Sequence, residues 1–181
     1  LCDWSSDVCS SDLRGGRFEV IPLPAEVQWA PVFGTVVADF NGDGAEDIFL
    51  AQNCFAVRPD DWRLDSGRGV LLIGDGRGGF KPMPGQDSGI KIYGEQRGAA
   101  TGDFDKDGRP DLVIAEHAGP AHLFLNQTAR RGIRVKLTGP NENSAAIGAQ
   151  LWLESGGRRG PAREIHAGSG YGSQDSAVTI L

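Results

Sequence analysis

A nine-residue acidic loop that occurs twice constrains the fold of this chain more than any other feature. The first copy runs from Asp39 to Asp47 and the second from Asp103 to Asp111, and both fit D-x-(D/N)-x-D-G-x-x-D. The glycine at position 6 allows the sharp turn that folds a chain round an ion. Calcium takes roughly six to eight oxygen ligands, and alternating carboxylates in a tight loop supply most of them.

The pattern predicts two calcium sites, each formed by the side chains at positions 1, 3, 5 and 9 and the backbone carbonyl at position 7. The predicted ligands are Asp39, Asn41, Asp43, Ala45 and Asp47 in the first loop, and Asp103, Asp105, Asp107, Arg109 and Asp111 in the second. The alternative is a pair of Asp-Gly hairpin turns without metal. The duplication favours calcium, because so many ligand-type side chains in a short loop repel one another unless a cation is present.

Neither loop fits a helix-loop-helix calcium site. Such a site needs a bidentate Glu at position 12, whereas Leu50 and Ile114 occupy that position here. The flanking runs are short, apolar and partly β-branched, which is typical of strands. Each loop is therefore predicted to join two strands, with its closing aspartate at the start of the second strand.

The remaining pattern indicates an all-β fold built from repeats. Glycine accounts for 27 of the 181 residues, about twice its usual share, which favours a turn-rich β protein. The two loops start 64 residues apart. A period of this length fits a four-stranded unit with insertions and points to propeller blades or arrays.

One segment imitates a nucleotide-binding motif. Residues 74–79 fit G-x-G-x-x-G after a predicted strand. A helix must follow in a dinucleotide-binding unit, and Pro82 and Pro84 prevent a long one. The segment is therefore predicted to be a hairpin turn.

The loops with their flanks, VVADFNGDGAEDIFLAQN and AATGDFDKDGRPDLVIAEH, resemble FG-GAP repeats, also called VCBS repeats. LLIGDGRGGF and LFLNQT are similar to the third-strand segments of the same repeats. The resemblance implies calcium-loop blades like those of integrin α-subunit propellers and many secreted bacterial proteins. We therefore expect residues 14–128 to form about two four-stranded blades of a β-propeller.

Residues 132–176 resemble the ASPIC/UnbV domain, which follows such repeats in bacterial proteins and in cartilage acidic proteins. The run Ile147-Gly148-Ala149 and the glycine-rich residues 168–174 carry this likeness. Residues 133–137 alternate apolar and basic side chains, as a half-buried strand does. We expect residues 129–181 to form a small antiparallel β domain. That domain usually continues beyond Leu181 and a propeller needs more blades, so we expect a fragment cut at both ends.

Residues 1–13 (LCDWSSDVCSSDL) resemble the translation of a sequencing-library adapter, and we expect a disordered artefact there. The alternative is a genuine Ser/Asp-rich linker. If the segment is an artefact, Cys2 and Cys9 are not native. Cys54 is then the remaining cysteine and is predicted to form no intramolecular disulfide.

The sequence argues against an enzyme. His117, His122 and His166 lie in no recognisable catalytic motif and are predicted to be solvated or structural. The acidic loops resemble closed structural ion sites rather than open hydrolytic ones. Residues 168–174 could hold a small polar ligand, although a plain glycine-rich turn is favoured.

The net charge of −6 is unevenly distributed: residues 1–128 carry −9 and residues 129–181 carry +3. No basic stripe with interleaved aromatics suggests nucleic acid, and no apolar stretch is long enough to span a membrane. The favoured function is a secreted, extracellular or periplasmic, calcium-binding module for binding or adhesion to a protein or glycan. The alternative is an accessory or scaffold domain of a carbohydrate-active enzyme whose catalytic part is missing. A purely structural repeat without a ligand is a third possibility.

Overall fold

The structure is a computed structural model that describes residues 21–55 and 57–181. The adapter-like segment, with Cys2 and Cys9, lies outside the described residues, so the expectation about it remains a prediction. Within the described ranges Cys54 is a free thiol. The protein is nearly all β there, as predicted, and no helix in those ranges is long and apolar enough to cross a membrane.

The first repeat forms a four-stranded antiparallel sheet with the strands in chain order. The strands are β1 (Val32–Ala38), β2 (Asp47–Gln52), β3 (Val70–Gly74) and β4 (Phe80–Met83). β1 alternates exposed and buried residues, whereas all residues of β2 except Ile48 are buried. Because successive side chains point to opposite faces of a sheet, β2 is covered on both faces, whereas one face of β1 is open.

The second repeat forms an antiparallel sheet of three strands, β5 (Gln96–Gly102), β6 (Asp111–Glu116) and β7 (Ala121–Phe124). In the described part of the chain this sheet lacks the fourth strand that we expected. The reason lies just after β7, where the Asn126 side chain accepts hydrogen bonds from the Thr128 and Ala129 amides and turns the chain. The next strand, at Arg134–Lys136, pairs with Val178–Ile180 instead of returning along β7.

The core lies between these two sheets. It is formed by Val36, Phe49, Ala51, Leu71, Ile90, Ile92, Ala99, Leu112 and Ile114. β1 and β5 lie side by side, and each carries a register shift, next to Gly34 in β1 and Gly98 in β5. A Cβ at Gly34 would lie 3.0 Å from Ala99 N and 3.1 Å from Arg97 O, so glycine permits the close approach of the two strands.

The segment that imitates a nucleotide-binding motif is a hairpin turn, as predicted. It joins β3 to β4, and Asp75 N donates to Gly79 O at 3.0 Å. Asp75 Oδ1 accepts the amides of Arg77 (2.7 Å) and Gly79 (2.9 Å). These bonds, that from Arg77 first, lower the pKa of the Asp75 carboxyl. The helix that follows, α1 (Gly85–Ser88), is a single turn.

The C-terminal region consists of paired short strands, in agreement with the antiparallel β pattern expected there. The pairs are β8 (Arg134–Lys136) with β13 (Val178–Ile180), β9 (Gln150–Leu151) with β12 (Arg163–Glu164), and β10 (Glu154–Ser155) with β11 (Arg158–Arg159). Gly156 and Gly157, between β10 and β11, have φ values of 59° and 74°. Positive φ at both positions fits a type I′ hairpin, whose twist suits the flanking strands.

Candidate metal centres

The closing aspartate of the first loop is a structural clamp. Asp47 is the first residue of β2, as predicted, and is 0% exposed. Its Oδ2 accepts the Phe40 amide at 2.8 Å, and its Oδ1 accepts the Gly74 amide at 2.9 Å. Burial raises the pKa of Asp47, while these two hydrogen bonds act in the opposite direction. The side chain therefore ties the start of the loop to the end of β3.

The second loop repeats this clamp. Asp111 is the first residue of β6 and is 1% exposed. Its two carboxylate oxygens accept the amides of Phe104 and Asn126, both at 2.8 Å. The Asn126 side chain also donates to Phe40 O at 2.8 Å. Since Phe40 belongs to the first loop, Asn126 links the two loops directly.

The opening aspartates point into their own loops. Asp39 Oδ1 accepts the Gly42 amide at 2.7 Å, and Asp39 Oδ2 accepts the Gly44 amide at 2.8 Å. Asp103 Oδ2 accepts the Gly108 amide at 3.1 Å. In both copies the backbone amide of the glycine at position 6, Gly44 or Gly108, thus donates to the carboxylate at position 1. This hydrogen bond holds each loop in a tight turn.

The middle positions differ between the copies. Asn41 accepts the Asp43 amide at 2.8 Å and donates its own amide to Asp43 Oδ2 at 2.9 Å. In the second loop Asp105 accepts the Asp107 amide at 3.2 Å. Asp107 forms an ion pair with the guanidinium of Arg109 instead. The side chain at position 5 therefore has an internal partner in each loop.

The second loop brings three carboxylates together. One oxygen from each of Asp103, Asp105 and Asp111 lies within 4.8 Å of the others, with Asp103 and Asp111 buried and Asp105 exposed. Across the described ranges no other group of His, Cys, Asp or Glu side chains meets this criterion. Asp107, a predicted ligand, lies outside the group. An all-oxygen donor set that is partly buried suits a hard cation such as calcium, so the residues fit the predicted ion.

Arginines from the C-terminal region reach both loops. Arg134, in β8, pairs with the buried carboxylate of Asp103. Arg163 Nη1, in β12, lies 2.9 Å from Glu46 Oε2. Burial raises the pKa of Glu46, and the charge of Arg163 opposes this effect. Sequence reasoning missed these pairs, although the opposite net charges of the two parts of the chain were the available signal.

A cavity of about 400 Å³ separates the first loop from the C-terminal region. Its walls include Asp39, Asp43 and Gly44 from the loop, and Leu153, Arg159 and Arg163 from the C-terminal region. The lining residues thus include both acidic and basic side chains. The cavity leaves Asp39 and Asp43, both predicted ligands, accessible from one side.

His122 and His166 each have a local partner. His122 Nε2 lies 2.5 Å from Glu116 Oε1, and its ring stacks on Phe124 with 6.3 Å between centroids. His166 Nδ1 lies 3.5 Å from Glu164 Oε1. The contacts of His122 and His166 are compatible with the solvated or structural role predicted for the histidines, which stays a prediction.

Comparison with known proteins gives two findings. Residues 39–114 match the FG-GAP-like repeat, a segment that begins at the first loop and ends within β6. Cartilage acidic protein 1 of Xenopus tropicalis is similar at 25% identity over 133 residues, which cover 72% of this chain and 19% of that protein. The chain therefore spans less than a quarter of that curated relative. The first finding points to a repeat module of β-propeller type.

Proposed function

We propose that this chain is part of a secreted, calcium-stabilised β-propeller-type module that binds a protein or a glycan outside the cell or in the periplasm. The carboxylate cluster of Asp103, Asp105 and Asp111, in a loop with a twin 64 residues earlier, carries the proposal. The FG-GAP-like match over both loops supports it.

Each loop would hold one ion with its own ligand set. The first set is Asp39, Asn41, Asp43, the carbonyl of Ala45 and Asp47, and the second is Asp103, Asp105, Asp107, the carbonyl of Arg109 and Asp111. Calcium supplies positive charge among carboxylates that otherwise repel one another. Because Arg134 and Arg109 now provide that charge to Asp103 and Asp107, an entering ion would compete with both guanidinium groups.

Titration calorimetry tests the calcium sites. We expect two weak sites with dissociation constants of roughly 10⁻⁴ to 10⁻³ M, as in extracellular modules, because neither loop has a bidentate Glu at position 12. At a calcium concentration about ten times Kd, each site adds roughly 1.4 kcal/mol to the free energy of unfolding. Absence of both binding heat and a thermal shift at millimolar calcium would refute calcium binding.

The binding role is supported by the kind of protein this chain resembles. The similar protein from Xenopus is named for cartilage, an extracellular tissue, which favours an extracellular location. The alternative remains an accessory domain of a carbohydrate-active enzyme. A screen of polysaccharides for binding and for cleavage separates the two: binding without turnover favours the binding module, and turnover by the chain would contradict it.

A further inference from the structure

A glycine-rich run near the C-terminus, residues 169–176, lies along the edge of β5. Ser173 Oγ accepts the Ala99 amide at 3.0 Å, and Asp175 Oδ1 accepts the Thr101 amide at 2.7 Å. Ser176 N donates to Thr101 O at 2.8 Å. β5 is the edge strand of its sheet, so these bonds satisfy backbone groups that β6 does not reach.

The equivalent place on the first sheet is occupied by β5, which contacts β1 without pairing with it. Gly34 and Gly98 occupy equivalent places, 64 residues apart, beside the register shifts of β1 and β5. A Cβ at Gly34 would meet the backbone of β5, 3.0 Å from Ala99 N. A Cβ at Gly98 would meet Ser173 Oγ at 2.9 Å and the Tyr171 carbonyl at 3.5 Å. The C-terminal run therefore contacts β5 at the same place in the repeat, beside Gly98, at which β5 contacts β1, beside Gly34.

The run has a defined shape of its own. Ser169 N donates to Ser173 O at 2.9 Å, and Asp175 N donates to Ser169 Oγ at 2.7 Å. The ring of Tyr171 reaches back to Phe33 of β1, with 6.1 Å between centroids. These contacts hold the run in place against both repeats.

We propose that residues 169–176 occupy the place against β5 that a following repeat would otherwise occupy, as β5 occupies it against β1. They also cover the free edge of β5, and so the C-terminal region closes the repeat array at this end. An uncovered strand edge is a template for pairing with another chain. The segment prevents such pairing by offering side-chain oxygens and one amide to β5. This role is independent of calcium.

Hydrogen–deuterium exchange on the full chain tests the proposal. The double variant Ser173→Ala/Asp175→Ala removes two acceptors, so exchange of the Ala99 and Thr101 amides should rise about tenfold or more, while β2 keeps its protection. The matched control is Gln174→Ala, an exposed residue of the same run, which should leave exchange in β5 unchanged. Unchanged exchange in β5 of the double variant, or an equal rise in the control, overturns the proposal.

A cross-link covers the case in which the double variant fails to fold. With Cys2, Cys9 and Cys54 replaced by Ser, Gly98→Cys/Ser173→Cys should form a disulfide, because the Cβ at position 98 would lie 2.9 Å from the Ser173 Oγ position. Cross-linking should slow exchange of β5 relative to the reduced protein. A pair that remains reduced, or an oxidised pair with unchanged exchange in β5, also overturns the proposal. The control pair Gly98→Cys/Ser144→Cys should remain reduced.

Discussion

At the scale of single residues, aspartates with the same sequence signature have different physical roles. Asp47 and Asp111 are buried and use both carboxylate oxygens to accept backbone amides, so they fix the loops to the sheets without an ion. Asp43 is exposed, and Asp107 is partly exposed. The spacing of the motif treats all four as equivalent ligands, and only their burial and partners separate them.

The position-5 aspartates should matter mainly when calcium is present. Asp43→Ala and Asp107→Ala each remove a proposed ligand and leave the glycine turn intact. We expect each variant to melt at a lower temperature than wild type in calcium, by an amount that corresponds to roughly 1 kcal/mol, and to differ little in chelator. Melting curves in both conditions make the comparison. Equal losses in calcium and in chelator would mean that these aspartates stabilise turns by hydrogen bonding.

The clamp aspartate should behave in the opposite way. Asp111→Ala leaves the part-buried amides of Phe104 and Asn126 without their carboxylate acceptor, so the free energy of unfolding should fall by roughly 3 kcal/mol even in chelator. Urea denaturation in chelator measures this loss. The control Asp105→Ala removes one exposed acceptor at 3.2 Å and should lose less than about 1 kcal/mol. A loss at Asp111 that appears only in calcium would contradict the clamp.

At the scale of elements, the sequence predicted most of the repeat. Apolar, β-branched flanks placed β2 and β6 directly after the loops, and the hairpin at residues 74–79 followed from the prolines after it. The missing fourth strand of the second sheet was not predicted, because the turn at Asn126 depends on side-chain hydrogen bonds rather than on any break in a periodic pattern. The close approach of β1 and β5 was not predicted either, because a single glycine in a strand does not indicate which other strand it contacts.

That close approach leads to a prediction for Gly34. In Gly34→Ala the new Cβ would lie 3.0 Å from the Ala99 nitrogen, and backbone atoms yield less easily than a flexible side chain. We expect a loss of about 1–3 kcal/mol in the free energy of unfolding. Gly168→Ala is the control, because its Cβ would meet nothing nearer than 3.9 Å. Denaturant unfolding measures the free energy of unfolding of both variants. Equal stability of the two would refute tight packing between β1 and β5.

At the scale of the whole molecule, acidic repeats meet a basic C-terminal region. Residues 1–128 carry a net charge of −9 and residues 129–181 carry +3, and the pairs Arg134–Asp103 and Arg163–Glu46 join the two parts. Charge asymmetry could be read from the sequence, but the pairing could not, because it depends on how residues far apart in the chain meet in space. Arginines of the C-terminal region thus pair with one carboxylate in each loop.

Arg134 and calcium should therefore compete for Asp103. In chelator, Arg134→Ala leaves a buried carboxylate without its counter-charge, and we expect a loss of about 1–2 kcal/mol. This value is below that for a fully buried pair because Arg134 itself is 37% exposed. With calcium the ion supplies the missing charge, so the loss should shrink and calcium should bind the second loop several-fold more tightly.

Lys136→Ala provides the matched control for this competition, since it removes the same charge from the same strand, β8, at an exposed residue. General electrostatics predicts that both variants shift calcium affinity by the same small amount, whereas direct competition predicts a clear shift for Arg134→Ala alone. Melting curves in calcium and chelator, combined with calorimetric titrations of both variants, distinguish the two. If Arg134→Ala weakens calcium binding, the arginine supports the ion site instead of competing for it, and the proposed exchange of guanidinium for calcium is wrong.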